Sequence, residues 1–518
     1  SLAFFIAFVS FAYRKYGDNP FVQIVESGLG SKFAHLIRSR ANQRCGVIKW
    51  DSFVIVSDRV VFPDGVRPAA LHIVGDKIAD IGPENTYNLT HVLNFKDAVV
   101  FPGLVDIHAH YNEPGREDWE GFVSGTETSL LGGATTAIEM PLNSDPTITD
   151  MPQLLAKIKV AKRKAHLNLG FWGGLIPENA GNHELLDKMV NAGVLGFKSF
   201  MSPSGIHDFG NVSISDLERA LPFLKRRGLP LYVHAELVSP VPSPPQDLNP
   251  RHYATFLATR PAAFERRAIR ALIDLLEADR STPYQPGFRI HIAHLGDAES
   301  LGMIRAAKAA GLPLSVETCA HYLLFNAEDI PENRTEFKCM PPIRDRANRD
   351  ALRAAVLSGD IDVVSSDHSP APLITKFQKE GNFLKAWGGI VGNQYLLPAT
   401  WTSLRDAYTA QGLSEDETLV RLAQRMSTAP AAIAGLAGSK GRIQEGFDAD
   451  LTIWEPTKLA NTSIVHNYNK NKLSPYFDTN LYGKVLASFV KGDLTAMNGR
   501  PNPRVCGSLV LGRERGTN

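Results

Sequence analysis

Between residues 98 and 370 the chain repeats one texture eight times: a short, nearly continuous apolar run, rich in β-branched residues, followed by a helical stretch. The runs cover 98–110, 135–141, 167–175, 193–201, 229–236, 288–296, 312–321 and 360–370. A strand that is apolar along its whole length is covered on both faces, as in a parallel sheet, and alternation with helices makes βαβ units. Eight such units predict an α/β fold, a TIM (β/α)8 barrel. The flanking segments differ. Residues 53–62, 70–82, 441–454 and 483–493 read as alternating strands broken by turns, which predicts a small discontinuous β-sandwich drawn from both chain ends. The expected organisation is a leader and linker over 1–46, the sandwich over 47–98 plus 441–518, and the barrel over 99–440. The Pro-rich stretch 239–250 interrupts the fifth unit and reads as a surface loop.

Composition removes several functions. The chain has 518 residues, with 55 basic and 54 acidic side chains and a formal charge of +1, so there is no basic face for nucleic acid. Its four cysteines (Cys45, Cys319, Cys339 and Cys506) are far apart and form no CxxC pair, which argues against a thiolate zinc site and a disulfide scaffold. Residues 2–13 are almost wholly apolar and are followed by Arg14 and Lys15, a pattern that reads as endoplasmic-reticulum targeting or membrane anchoring. The alternative is an amphipathic or buried leader on a cytoplasmic protein. Sequons at Asn88, Asn211, Asn333 and Asn461 are compatible with a lumenal location.

In a barrel of this kind the loops at the C-terminal strand ends form the active site, so polar residues that end apolar strands are the candidates. The first run ends in His108-Ala109-His110, and strand alternation puts both imidazoles on one face. The fourth ends in Lys198, the fifth in His234-Ala235-Glu236, the sixth in His294, and the eighth in Asp367-His368. A single buried histidine is usually a bonded core residue, and a single aspartate after a strand is usually a helix cap. Five strands delivering metal-capable groups at the same end are better read as one metal centre. A charged Lys198 would be unstable beside cations; as a neutral amine it can take up carbon dioxide, and the resulting carbamate offers two oxygens. The plain alternative is an ion pair between Lys198 and Glu236.

On these residues the chain is identified as a member of the cyclic amidohydrolases, which include dihydropyrimidinases, dihydroorotases and allantoinases. The resemblance covers nearly everything after residue 50, and its HxH, carboxylated Lys, His, His, Asp pattern falls on His108, His110, Lys198, His234, His294 and Asp367. The blocks at 101–122, 140–144, 170–175, 195–206, 365–370 and 381–390 resemble the allantoinase branch in particular. Asn112 stands where dihydroorotases carry a carboxylate-binding arginine, and suits an uncharged ring. Ala320 and Met340 depart from the family's usual proline and serine.

The resemblance implies hydrolytic opening of allantoin to allantoate in purine breakdown, two zinc ions bridged by N6-carboxylated Lys198, and a homo-oligomer, a tetramer in relatives. Asp367 would carry the proton. Asn112, Asn143, Ser204, Met340 and Gly388 would contact the substrate, with Ser204 as an oxyanion donor and Met340 and Gly388 acting through their main chains. A dihydropyrimidinase or hydantoinase activity is the nearest alternative. A non-catalytic assembly protein of the same fold is more remote, because such members lose metal ligands and every ligand position here is filled.

Overall fold

The computed structural model describes residues 50–83, 86, 91–238 and 248–512. The expected leader and most of the Pro-rich loop lie outside these residues. Among the described residues no helix is long and apolar enough to cross a membrane.

The first five strands are β1 (Ser52–Phe62), β2 (Gly65–Val74), β3 (Lys77–Gly82), β4 (Val92–Asn94) and β5 (Val99–Pro102). The last four are β15 (Leu451–Leu459), β16 (Tyr482–Val490), β17 (Asp493–Met497) and β18 (Arg500–Pro501). Both groups join one nine-stranded sheet, in which β5 pairs antiparallel with β15 and parallel with β1. A register shift between Ser57 and Val60 passes β1 from β4 to β5, so the two layers of the expected sandwich are continuous in hydrogen bonding. Phe53, Ile55, Leu71, Val100, Ile453 and Phe489 form its separate core.

Nine short strands build the barrel: β6 (Leu104–Ala109), β7 (Ala134–Glu139), β8 (Asn168–Phe171), β9 (Gly173–Gly174), β10 (Phe197–Phe200), β11 (Pro230–His234), β12 (Arg289–Ile292), β13 (Leu314–Cys319) and β14 (Val363–Ser365). All pairings among them are parallel and follow chain order. Strands β8 and β9 are one element interrupted at Trp172, whose indole N–H donates to the Ile107 carbonyl at 2.9 Å. A parallel bridge between Ala109 and His368 joins the first strand to the chain leaving the eighth and closes the ring.

The first apolar run is two elements rather than one. Val99–Pro102 belongs to the large sheet and Leu104 opens the barrel, so the boundary expected at residue 99 falls at Gly103. The reason is local: a Cβ at Gly103 would sit 2.1 Å from Thr135 Oγ1, and Pro102 has no N–H to continue a ladder. Cys506 is disulfide-bonded, whereas Cys319 and Cys339 are free and buried, so one bridge is present without a disulfide scaffold; Cys45 lies outside the described residues.

Candidate metal centre

The barrel brings the six predicted ligand positions into one cluster. His108 and His110 leave β6 with their Nε2 atoms 3.2 and 3.7 Å from Asp367 Oδ1. The ring centroids of His108 and His294 are 5.3 Å apart, and those of His234 and His294 are 4.5 Å apart. Lys198 approaches from β10, with Nζ 5.1 Å from the ring of Tyr232. His294 and Asp367 both lie just past their strands with left-handed φ values of 36° and 41°. Non-glycine residues rarely adopt this conformation, and it persists where surrounding structure imposes it, commonly at functional sites.

The electrostatics suit cation binding. Burial lowers the pKa of His108, His234 and His294, so their ring nitrogens are neutral lone-pair donors near neutral pH. Asp367 is held below the usual carboxylate range: burial would raise it, but His108, His110 and His321 outweigh that effect. Burial brings Lys198 down to about 8 against the opposing pull of Glu317 and Asp367. Its Nζ is buried and has no hydrogen-bond partner among the described residues. The same is true of His294 Nδ1. Leaving such groups unpaired costs about 1–3 kcal/mol each, more for charged ones, and bound cations with a carbamate would remove that cost. The donor set therefore fits a metal centre, and His108, His110 and Asp367 are spaced to share one ion.

The surrounding groups orient the ligands. Glu317 on β13 is buried and accepts from His108 Nδ1–H, from the Tyr232 hydroxyl, and from the His294 main-chain N–H at 3.1 Å. Its contact with His108 fixes the tautomer that leaves Nε2 facing Asp367. Glu317 was not among the sequence candidates; the only signal was an acidic residue inside the apolar run 312–321. Glu236 does not pair with Lys198. It accepts from His234 Nε2–H at 2.8 Å and from Arg260 at 2.9 Å, leaving His234 Nδ1 as the ligand nitrogen. His321, close enough to share an ion with Cys319 and Asp367, has neither ring nitrogen hydrogen-bonded among the described residues, and the sequence alone offers no signal for it.

The predicted substrate contacts are less uniform. Asn112 is buried at φ 66°, with its amide N–H directed at the Pro370 carbonyl and its Oδ1 without a partner among the described residues. Asn143 lies 3.2 Å from His110 Nδ1, so it orients a ligand imidazole. Turning its amide oxygen to that nitrogen lets Nδ1–H donate and frees Nε2. Ser204 is committed elsewhere: its hydroxyl donates to the Phe209 carbonyl at 2.7 Å and closes a turn, which displaces it as an oxyanion donor. Met340 and Gly388 lie together, since a Cβ on Gly388 would meet Met340 Cγ at 3.1 Å.

A parallel barrel with histidine, lysine and aspartate at its C-terminal mouth, joined to a sheet from both chain ends, defines a metal-dependent hydrolase class. The chain belongs to the amidohydrolase family, whose model matches residues 99–239 and 285–495, and that family implies a binuclear metal centre. Within it the chain falls among the allantoinases, hydrolases of a cyclic amide carbon–nitrogen bond. It is 40% identical to the allantoinase of Arabidopsis thaliana over 95% of this chain and 97% of that protein. It is 39% identical to the allantoinase of Streptomyces avermitilis over 86% and 96%. Among solved structures, the L-hydantoinase (dihydropyrimidinase) of Arthrobacter aurescens aligns with a TM-score of 0.78 at 25% identity, covering 89% of this chain and all of that one.

Proposed function

We propose that this chain hydrolyses allantoin to allantoate in purine breakdown, with two zinc ions held by His108, His110, His234, His294, Asp367 and N6-carboxylated Lys198. The observation that carries the metal assignment is the buried Lys198 Nζ, which has no hydrogen-bond partner among the described residues and sits beside His108, His234 and His294. Attack of that amine on carbon dioxide forms an N–C bond, releases a proton and replaces an ammonium with two carboxylate oxygens. Zinc suits a donor set of nitrogen and oxygen, and when bound it supplies Lewis acidity and a water of lowered pKa.

The protein's own groups do the rest. Asp367, ionised and close to both β6 imidazoles, takes the proton of the attacking water. It then passes that proton to the departing ring nitrogen. Glu317 keeps His108 in one tautomer, and Glu236 does the same for His234. Asn112 presents no charge at the ring, which favours a neutral substrate over a carboxylate-bearing one. The allantoinase relatives, matched along nearly their whole length, support the choice of substrate.

Assembly as a homotetramer and residence in the endoplasmic reticulum are part of the same reading. The leader and the disulfide at Cys506 support an oxidising compartment. Metal analysis of purified protein together with allantoin turnover tests the proposal. The expected result is about two zinc ions per chain, activity lost to a chelator and regained with zinc. Full turnover by metal-free protein would contradict it.

A further inference from the structure

One buried histidine at the barrel mouth, His321, lies outside the six metal-ligand positions. It belongs to the short helical turn Ala320–Leu324, which begins directly after β13. Neither ring nitrogen has a hydrogen-bond partner among the described residues, although a buried imidazole carries two polar groups that are costly to leave unmet. Burial brings its pKa down to about 4 against the pull of Asp367. Near neutral pH the ring therefore offers one N–H and one lone pair, and no charge. The Cys319 thiol beside it is pushed well above its usual range by burial and is likewise uncharged.

Two contacts place this ring. One of its nitrogens lies within 4.8 Å of an Asp367 carboxylate oxygen. Two hydrogen bonds of ordinary length that meet at one atom span about 5 Å, so the gap takes a single polar atom bonded to both groups. The ring also packs on Tyr322, with centroids 4.2 Å apart, and the Tyr322 hydroxyl donates to the Pro341 carbonyl at 2.6 Å. Pro341 follows Met340, whose main chain is expected to hold the ring amide, so His321 is tied both to the proton carrier and to the segment that would orient the substrate. In a cyclic amide the departing nitrogen carries one hydrogen. As the C–N bond breaks, the bonding pair stays on that nitrogen and Asp367 delivers a proton to it, giving NH2. A neighbour that accepts the original N–H turns the developing lone pair toward Asp367, and a neutral imidazole nitrogen is such an acceptor.

We propose that His321 is a further substrate-binding residue of this site, which accepts the N–H of the departing ring nitrogen and aligns that nitrogen with Asp367. The assignment rests on the cyclic-amidase reading but not on which ring is opened. The test compares zinc-loaded parent, His321→Gln and His321→Leu on allantoin and hydantoin, with metal analysis of each. Both variants should keep the parent's metal content. His321→Leu should lose about 10- to 100-fold in kcat/KM on whichever ring the parent opens, and His321→Gln, which keeps an acceptor, should recover most of that loss. Loss of an ion in His321→Gln, or parent-like turnover by folded His321→Leu, overturns the assignment. A crystal structure of the unaltered zinc-loaded enzyme with hydantoin covers the case in which the variants fail to fold, because the closed and opened forms both carry N–H at that nitrogen. A His321 nitrogen about 3 Å from it is expected; a water or an ion in that place overturns the contact. Hydantoin opened without allantoin would refute the substrate assignment and leave these results unaffected, so the two failures are separable.

Discussion

At the scale of single residues, Lys198 and Asp367 carry the most specific expectations. Under the proposed carbamate, Lys198 would offer an oxygen to each of two ions. Lys198→Ala should therefore fold, bind less than about half the parent's metal and lose nearly all turnover, with partial recovery when a short carboxylic acid and metal are added. Full metal content at a normal rate would remove the carbamate from the account. Asp367→Asn keeps an oxygen for metal but cannot accept a proton near neutral pH. Its kcat should fall about a thousandfold with at least one ion retained, a result that metal analysis and steady-state kinetics check together. A loss under about tenfold would move the proton to another group, with His368 the next to test. These ligands were legible in the sequence because each ends an apolar run. Glu317 was not, since its role depends on contacts with His108 and Tyr232, 209 and 85 residues away in the chain. Ser204 and Asn143 show a related limit: the type of residue is visible in the sequence, but the hydrogen-bond partners Phe209 and His110 are not.

At the scale of elements, alternation of apolar runs and helices specified the barrel, whereas the seam between barrel and sheet depended on contacts no local pattern displays. One example is the buried ammonium of Lys440, which pairs with Asp448 at 2.8 Å and also with Asp450. Asp450 in turn accepts from Asn168 at the start of β8 and from the Gly103 N–H through its carbonyl, so this cluster ties β15 to the base of the barrel. Lys440→Met would leave buried Asp450 without its cation and Asp448 with Lys77 alone, and should cost about 3–5 kcal/mol, measured by urea unfolding at pH 7. Burial disfavours the ammonium, but Asp450 and Asp448 raise its pKa above 10.5, so its contribution is complete below 10.5 and disappears as pH rises through the folded value. Asp448 is held below 3.8, because Lys440 and Lys77 outweigh burial, and its contribution disappears only as pH falls through that lower value. The gap between parent and variant should thus stay level from about pH 5 to 9 and narrow outside that range. A difference under about 1 kcal/mol at pH 7 would mean that the seam is held mainly by apolar packing.

At the scale of the whole molecule, a near-neutral chain encloses a metal-ready mouth in a barrel shared with hydantoinases, and the fold alone does not choose the ring. The choice rests on Asn112 and on relatives matched from end to end. A substrate carboxylate buried at Asn112 without a cationic partner would cost several kcal/mol, a discrimination of about a thousandfold. The most direct measurement is kcat/KM of the zinc-loaded enzyme for allantoin, hydantoin and dihydroorotate side by side. The account predicts that allantoin is turned over best and that dihydroorotate is slower by about a thousandfold or more. Comparable rates on allantoin and dihydroorotate, or a clear preference for hydantoin, would contradict it.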